Sequence, residues 1–447
     1  MSPDGRTVRS NLLTVTAGGD PLAAWAGSGV MGLTGRAGGP ALGPPEGFVE
    51  RLLALEERLV AEFQRLESTL ELDALALLGE RAALAGLRRQ GDRSCGGAAR
   101  LLRAGDGWLA LSLARPSDVE LLPAWLGDAL QCVEDPWSAV APAVADRTVS
   151  ELVAGAAVLG LPAASLPVGA DRPFRSQQDS PGMLPVVCTP FGDAAPAEVR
   201  DLLVVDLSSL WAGPLGAQLL GFAGARIVKV ESTGRPDGAR FGPAAFFDLL
   251  HAGHESVALD FTAAEGRRDL RRLLEAADVV IEASRPRALQ QLGVDAEALL
   301  RNGRPRLWIS ITGYGRRGDG AQRVAFGDDG AVAGGLVVWD EIGPCFCADA
   351  VADPLTGLVA ATAALGSVAA GGRWLLDVSL QAVAAYFAAD ASPAPEPCRT
   401  ASADGTVQTE RGPVTVAPPR ARPCRGNAAP LGAHTEAVLS EIRRPRQ

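Results

Sequence analysis

The chain predicts an α/β protein: a doubly wound parallel sheet, with a smaller α+β domain ahead of it in sequence. Three observations carry this. From Arg200 onward, short apolar β-type runs alternate with segments of helical spacing. Ahead of them, an Asp-Gly turn leads into the alternating run DGWLALSLA and then into helices, while residues 171–196 between the two show neither period. Strand and helix in regular alternation cannot close by hairpins and call for crossovers, so the later region is a Rossmann-like sheet covered on both faces.

The elements follow in order. Residues 1–94 form a Gly-rich segment and helices, because FVERLLALEERLVAEFQRLESTLELDALALLGERAALAGL places apolar residues three and four apart. Residues 95–170 form the small α+β domain, with helices near Asp118 and in SELVAGAAVLGLP. DRPFRSQQDSPGMLPVVCTPFGDAAP, residues 171–196, reads as a linker. Within 197–390 the strands are LLVVDL, RIVKVE, SVALDF, DVVIEA, RLWISI and RWLLDVSL, separated by helical stretches such as GPLGAQLLGFAGA and DPLTGLVAATAALGSVAA. Residues 391–447 are a Pro-rich tail with one hairpin, GTVQTERGPVTVAP, and a final helix from Thr435.

Composition narrows the function classes. A formal charge of −10 argues against general affinity for nucleic acid, whose phosphates need a basic surface. No apolar run reaches the roughly 18 residues that span a bilayer, and MSPDGRTVRSNLLTVTAGGD has no unbroken apolar stretch of a signal peptide, so no membrane role and a cytoplasmic location are expected. Seven cysteines, at Cys95, Cys132, Cys188, Cys345, Cys347, Cys398 and Cys424, follow no framework spacing and read as reduced thiols. Lys229 is the lone Lys and carries no mechanistic expectation.

Ligands of an open α/β sheet sit beyond the carboxyl ends of its strands. After the first strand, Gly213 and Gly216 open a helix whose free N–H groups suit an anion, or simply let helix and strand approach. Gly313, Gly315 and Gly318 satisfy G-x-G-x-x-G, but they follow a late strand and lead into GDGAQRVAFGDDG, of turn composition, so no dinucleotide site is expected. His251 and His254 lack flanking Cys, Asp or Glu and read as surface or loop histidines; Cys345 and Cys347 lack a second pair, so no metal is expected. Asp328 and Asp329 read as turn residues. Asp353, followed by Pro354, stands at a helix start, and on spacing alone it is an N-cap.

In order, DLLVVDLSSLWAGPLGAQLLGFAGARIVKVE, SVALDF, DVVIEASRPRALQQLGVD, RLWISITGYG and VADPLTGLVAATAAL resemble the succession of motifs in family III CoA-transferases, over about residues 200–390. The resemblance implies coenzyme A as the acyl-CoA substrate, an acyl-CoA donor, a small carboxylic acid acceptor and a homodimer. It places the nucleophile on Asp353, with Gly357 four residues on, and the CoA contacts on Trp211, Ala212, Gly213, Arg235, Ala283, Ser284, Arg285, Gly313 and Tyr314. Arg235, Arg240, Arg285 and Arg287 supply positive charge for its phosphates.

Three departures from the family pattern stand out. Trp211 replaces a commonly polar residue, and Ala283-Ser284 replace Asn-Phe. The small domain, which in the family follows the catalytic Asp, here precedes the large sheet, and WAGSGVMGLTGRAGGPALG resembles the segment before that Asp. Pro44, Pro45 and Glu46 fall where a second nucleophile would stand, so one catalytic Asp per chain is expected. Phe326 occupies the position of the second base of an α-methylacyl-CoA racemase, which sets that alternative behind a transferase; a non-catalytic CoA-binding protein is the remaining alternative.

Overall fold

The structure, a computed structural model, describes residues 19–127, 135–167, 183–388, 400–402 and 405–443. Cys132 and Cys398, and residues 171–182 of the expected linker, lie outside them.

The chain first builds four helices, Pro21–Ser28, Phe48–Arg65, Ala74–Leu77 and Glu80–Ala85. A three-stranded antiparallel sheet follows, from β1 (Ala99–Arg103), β2 (Trp108–Ser112) and β3 (Ala163–Ser165), in that spatial order. Helices Pro136–Ala145 and Val149–Leu159 lie on it, and Leu109, Leu111, Val140, Val144 and Leu152 form its core. The Trp125 indole N–H reaches the Leu152 carbonyl at 2.9 Å, so this buried ring keeps its polar atom paired.

The large sheet holds seven strands: β4 (Val187–Gly192), β5 (Leu203–Asp206), β6 (Arg226–Ser232), β7 (Glu255–Leu259), β8 (Val279–Glu282), β9 (Leu307–Thr312) and, after the hairpin β10 (Val337–Trp339) and β11 (Pro344–Phe346), β12 (Arg373–Ser379). Their order is β4-β12-β9-β8-β5-β6-β7, parallel except at β4. Every residue of β5, β8 and β9 is buried, as helices on both faces require, and that is why these strands read as unbroken apolar runs. From β5 the chain winds outward through β6 to β7, then returns to β8 and winds the other way. The switch point lies between β5 and β8.

The expectation of a linker over 171–196 is corrected here. Val187–Gly192 is an edge strand, antiparallel to β12, with Pro190 opposite Trp374 beside a shift of register. Proline has no N–H to donate and fits a sheet at an edge or bulge, and an edge strand half open to solvent carries no apolar alternation. The same holds for GDGAQRVAFGDDG, which forms the 3₁₀ turn Asp319–Gln322 and then the helix Gly327–Ala333.

The N-terminal helices do not stand alone. Trp25, Leu52, Leu59 and Phe63 share one core with Leu215, Leu355, Val359 and Val383. Helix Phe48–Arg65 packs along helix Ala352–Ala370, with Phe48 between Trp25 and Phe387 at ring separations of 5.5 and 5.6 Å. Among the described residues, Ala352–Ala370 is the one helix long and apolar enough to cross a membrane, and here it is mostly buried at the centre of the protein. The tail adds the hairpin of β13 (Thr406–Thr409) and β14 (Gly412–Thr415), then helix Thr435–Arg443. At its approach, His434 Nδ1 and Thr435 Oγ1 accept the N–H groups of Ser256 and Ala258, which satisfies the outer edge of β7.

Candidate active site

Asp353 stands in the first turn of helix Ala352–Ala370. The helix opens one residue earlier than the Asp-Pro pair suggests, with Val351 as an N-cap that makes no side-chain bond, so Asp353 is not a cap. Its N–H goes to the Ala350 carbonyl at 2.9 Å, and Pro354 has none. The backbone N–H donors at this helix start are therefore mostly taken. Among the described residues, no donor bonds to the Asp353 carboxylate. Instead the backbone of Gly327 lies against it: a Cβ there would fall 2.8 Å from Asp353 Cγ.

Three more carboxylates and one guanidinium surround this point. Asp328 accepts the Ala350 N–H at 3.0 Å. Asp329 accepts the Ser112 hydroxyl at 2.7 Å and the Phe326 N–H at 3.0 Å. Asp349 is fully buried and takes both arms of Arg81, Nε at 2.9 Å and Nη2 at 2.6 Å. Asp353 keeps a partial opening to solvent, but protein encloses its carboxylate. Burial pushes it up to about 7, Arg81 pulls it down, and Asp328, Asp329 and Asp349 push it further up. Burial is also the main cause that brings Asp328 to about 6 and Asp329 to about 7. At neutral pH such a carboxyl exchanges its proton readily while its anion stays strongly nucleophilic.

Gly357 joins this helix to the switch point. A Cβ on it would meet the Ala212 carbonyl at 2.7 Å and Leu215 at 2.9 Å, so only glycine lets helix Ala212–Phe222 lie this close. The chain reaches that helix through Leu210, at a left-handed φ of 70°, and Trp211 as its N-cap. Trp211 is buried, edge-on to Phe246 at 5.3 Å and with the Arg81 guanidinium 5.8 Å from its ring centre. Trp211, Ala212 and Gly213 are thus brought to the Asp353 helix, and Arg81 spans both.

The other sequence-predicted residues follow neighbouring strands of the large sheet. Gly313 packs on Ala325, two residues before Gly327, where a Cβ would come within 2.8 Å. Tyr314 is enclosed, burial pushes its phenol up, its hydroxyl has no partner among the described residues, and Arg323 stacks on its ring at 3.8 Å. Ala283, Ser284 and Arg285 follow β8 on the other side of the switch point. The Ser284 N–H is held by Glu282 at 2.7 Å, and Arg285 reaches toward Gly160, the C-cap of helix Val149–Leu159, whose Cβ position lies 3.8 Å from Nη1. Arg235 is exposed on the turn after β6. Arg240 is not free for phosphates: it pairs with Glu231 at 2.6 Å and stacks on Phe247 at 4.2 Å.

Two expectations are overturned beside the site. His251 and His254 are buried, not at the surface, with rings edge-on at 5.6 Å; burial holds His251 well below the usual imidazole range and brings His254 to about 4. Asp328, half-buried, and Asp329, fully buried, are helix residues beside Asp353, not turn residues. Sequence reasoning missed Arg81 and Asp349 altogether. Asp349 is four residues before Asp353 in CADAVAD, a signal that spacing offered; Arg81 lies 268 positions from its partner and offered none.

A family model and several known proteins match this chain. The model of CoA-transferase family III matches residues 199–439, more than half of the chain. Succinyl-CoA--D-citramalate CoA-transferase of Chloroflexus aurantiacus is 30% identical over 148 residues, 32% of this chain and 37% of that protein. Succinate--glutarate CoA-transferase of Agrobacterium fabrum is 34% identical over 128 residues, 26% of this chain and 32% of that protein. The chain thus spans only about a third of the length of these curated relatives. A crystal structure of a CAIB/BAIF family protein from Brucella suis aligns with 28% identity over 49% of this chain and 65% of that one, at a TM-score of 0.40. The matched span runs from the entry to β5 through the Asp353 helix to the terminal helix, and on that match the chain belongs to CoA-transferase family III.

Proposed function

We propose that this protein transfers CoA from an acyl-CoA donor to a small carboxylic acid, with Asp353 as the nucleophile. The observation that supports it most is the placement of Asp353: an unbonded carboxyl in a first helical turn, against glycine backbone, one turn ahead of the Gly357 contact with the helix that follows β5. Ligands of doubly wound sheets bind at the switch point that this second helix borders.

The chemistry asks for one carboxylate that serves first as nucleophile and then as leaving group. The Asp353 carboxylate attacks the donor thioester carbonyl and expels CoA thiolate, forming a mixed anhydride. The thiolate then attacks the Asp353 carbonyl, which releases the donor acid and leaves an aspartyl-CoA thioester. The acceptor carboxylate attacks that thioester, CoA thiolate leaves again, and its attack on the acceptor side of the new anhydride gives the product thioester and a free Asp353 carboxylate. Electrons and atoms balance without net proton transfer. Phe326 cannot exchange a proton, so scrambling at an α-carbon is not part of this reading.

The names of the relatives pair short dicarboxylic acids with CoA, so succinyl-CoA with a panel of short dicarboxylates is the first assay. The test follows CoA transfer, α-proton exchange and a hydroxylamine-trapped acyl group. Transfer and trapping that vanish in Asp353→Ala support the reading. Transfer undiminished in that variant overturns it, and CoA binding without transfer would favour a non-catalytic binder.

A further inference from the structure

We infer that Arg81, carried by the N-terminal segment, is a positioning residue for Asp353: seated on Asp349, it clamps the turn that opens the Asp353 helix and supplies the cation for four crowded acids. The inference rests on the reading of Asp353 as nucleophile and goes on to say what keeps that carboxyl ionised.

Three features of the geometry carry it. The bond is bidentate, 2.9 and 2.6 Å, to a carboxylate with no exposure, and so fixes orientation as well as charge. The residues on either side of Asp349 are strained, Ala348 at φ 56° and Ala350 at φ 45°, left-handed values that are unfavourable for an alanine and persist only where surrounding contacts impose them. Those contacts are present: the Ala348 N–H is held by Thr34 Oγ1 at 3.1 Å, the Ala350 N–H by Asp328 at 3.0 Å, and the Ala350 carbonyl accepts from Asp353 at 2.9 Å. Displacing Asp349 therefore moves the backbone that carries Asp353. Finally, Arg81 lies over Trp211 at 5.8 Å, so the same guanidinium borders the expected CoA crevice.

The groups that face Asp353 are Asp328 and Asp329 from helix Gly327–Ala333, Asp349 from the strained turn, and Arg81 from helix Glu80–Ala85. The nearby Cys95 thiol, between the carbonyls of Leu33 and Ala348, is held protonated by burial and adds no charge. Removing Arg81 leaves acids alone around Asp353. Removing Asp349 leaves Arg81 undivided for the others.

The test compares Arg81→Gln, Arg81→Lys and Asp349→Asn in the full chain. It reads the acid limb of single-turnover transfer against pH, and the titration of the residue 353 carboxyl by infrared difference against Asp353→Asn. Arg81→Gln should move the limb up by about one pH unit, roughly a tenfold loss at pH 6, Asp349→Asn should move it down, and Arg81→Lys should restore it nearly to the parent. Shifts of opposite sign from the two partners of one ion pair are not what a purely structural role produces. If Arg81→Gln does not fold, Asp349→Asn and Arg81→Lys, which keep a cation, still decide. A limb and a carboxyl titration unmoved in Asp349→Asn, or moved upward, overturn the inference. Absence of a trapped acyl group in the parent protein overturns the nucleophile reading instead, while the infrared titration continues to test Arg81.

Discussion

The carbonyl of Ala212 lies where a side chain on Gly357 would begin, 2.7 Å from the Cβ position. This approach sets the distance between the Asp353 helix and the helix at the switch point. Gly357→Ala should destabilise the fold by about 1–3 kcal/mol, because neither backbone can yield without moving a packed helix. Gly366 is on the same helix, and its Cβ position meets only Glu62 Oε1 at an ordinary 3.7 Å. Gly366→Ala should be neutral or stabilising by about 0.5–1 kcal/mol. Urea unfolding of the two variants checks the contrast; equal losses would mean that backbone freedom, not the close approach, is what glycine provides at 357.

Asp353→Asn should remove transfer while making the fold no less stable above pH 7. An anion held up to about 7 by burial and three neighbouring acids is a source of repulsion once ionised, and an amide of the same shape has none. The expected gain at pH 8 is on the order of 1 kcal/mol. Thermal melts at pH 8 with parallel transfer assays measure both halves.

Gly327→Ala places a methyl group 2.8 Å from Asp353 Cγ. It should lower the rate of acyl-enzyme formation by at least about tenfold, the result of a displacement near 1 Å at the reacting group. Burst kinetics with a chromogenic acyl donor reads that step directly. An unchanged burst would show that the Gly327 backbone does not hold the carboxyl in place.

Stability should fall from pH 6.5 to pH 8. Asp328, Asp329 and Asp353 have folded values of about 6, 7 and 7, raised from 3.8, so their contribution is full below about pH 4 and is lost as pH rises through 6 to 7. His251 and His254 act oppositely, since both are lowered from 6.5, but their effect is complete by about pH 6.5. Above that point the raised acids remain, joined by Glu56, which burial also brings to about 7. The urea midpoint should therefore drop between pH 6.5 and 8, and Asp329→Asn should flatten the drop. A midpoint that rises over this interval contradicts the buried acid cluster.

Lys229 is the one lysine of the chain and is fully enclosed, its Nζ 3.0 Å from Asp237 and 3.7 Å from Asp206. Its lack of mechanistic expectation from sequence did not extend to structure. Lys229→Met strands two buried carboxylates and should cost about 3–5 kcal/mol. In the native protein an amine-reactive ester should label only the terminal amino group, with Lys229 reacting after unfolding. Mass spectrometry of native and denatured digests distinguishes the two.

What was legible in the sequence is local. LLVVDL, RIVKVE, DVVIEA and RLWISI announce buried parallel strands because both faces of such strands are covered, and Asp353 is marked by its motif and its place at a helix start. Val187–Gly192 was hidden because an edge strand with one wet face and a proline has no pattern to show.

By itself, then, the sequence determined the order of the parallel strands, the family and the identity of the candidate nucleophile. Only the tertiary structure decided the setting of that nucleophile. Arg81 and Asp349 are 268 residues apart, and Ser112 and Asp329 are 217 apart. Charges combine through distance and dielectric, not through sequence, so a carboxyl that reads as a helix cap becomes, once three acids and one guanidinium are folded around it, a group poised near neutrality.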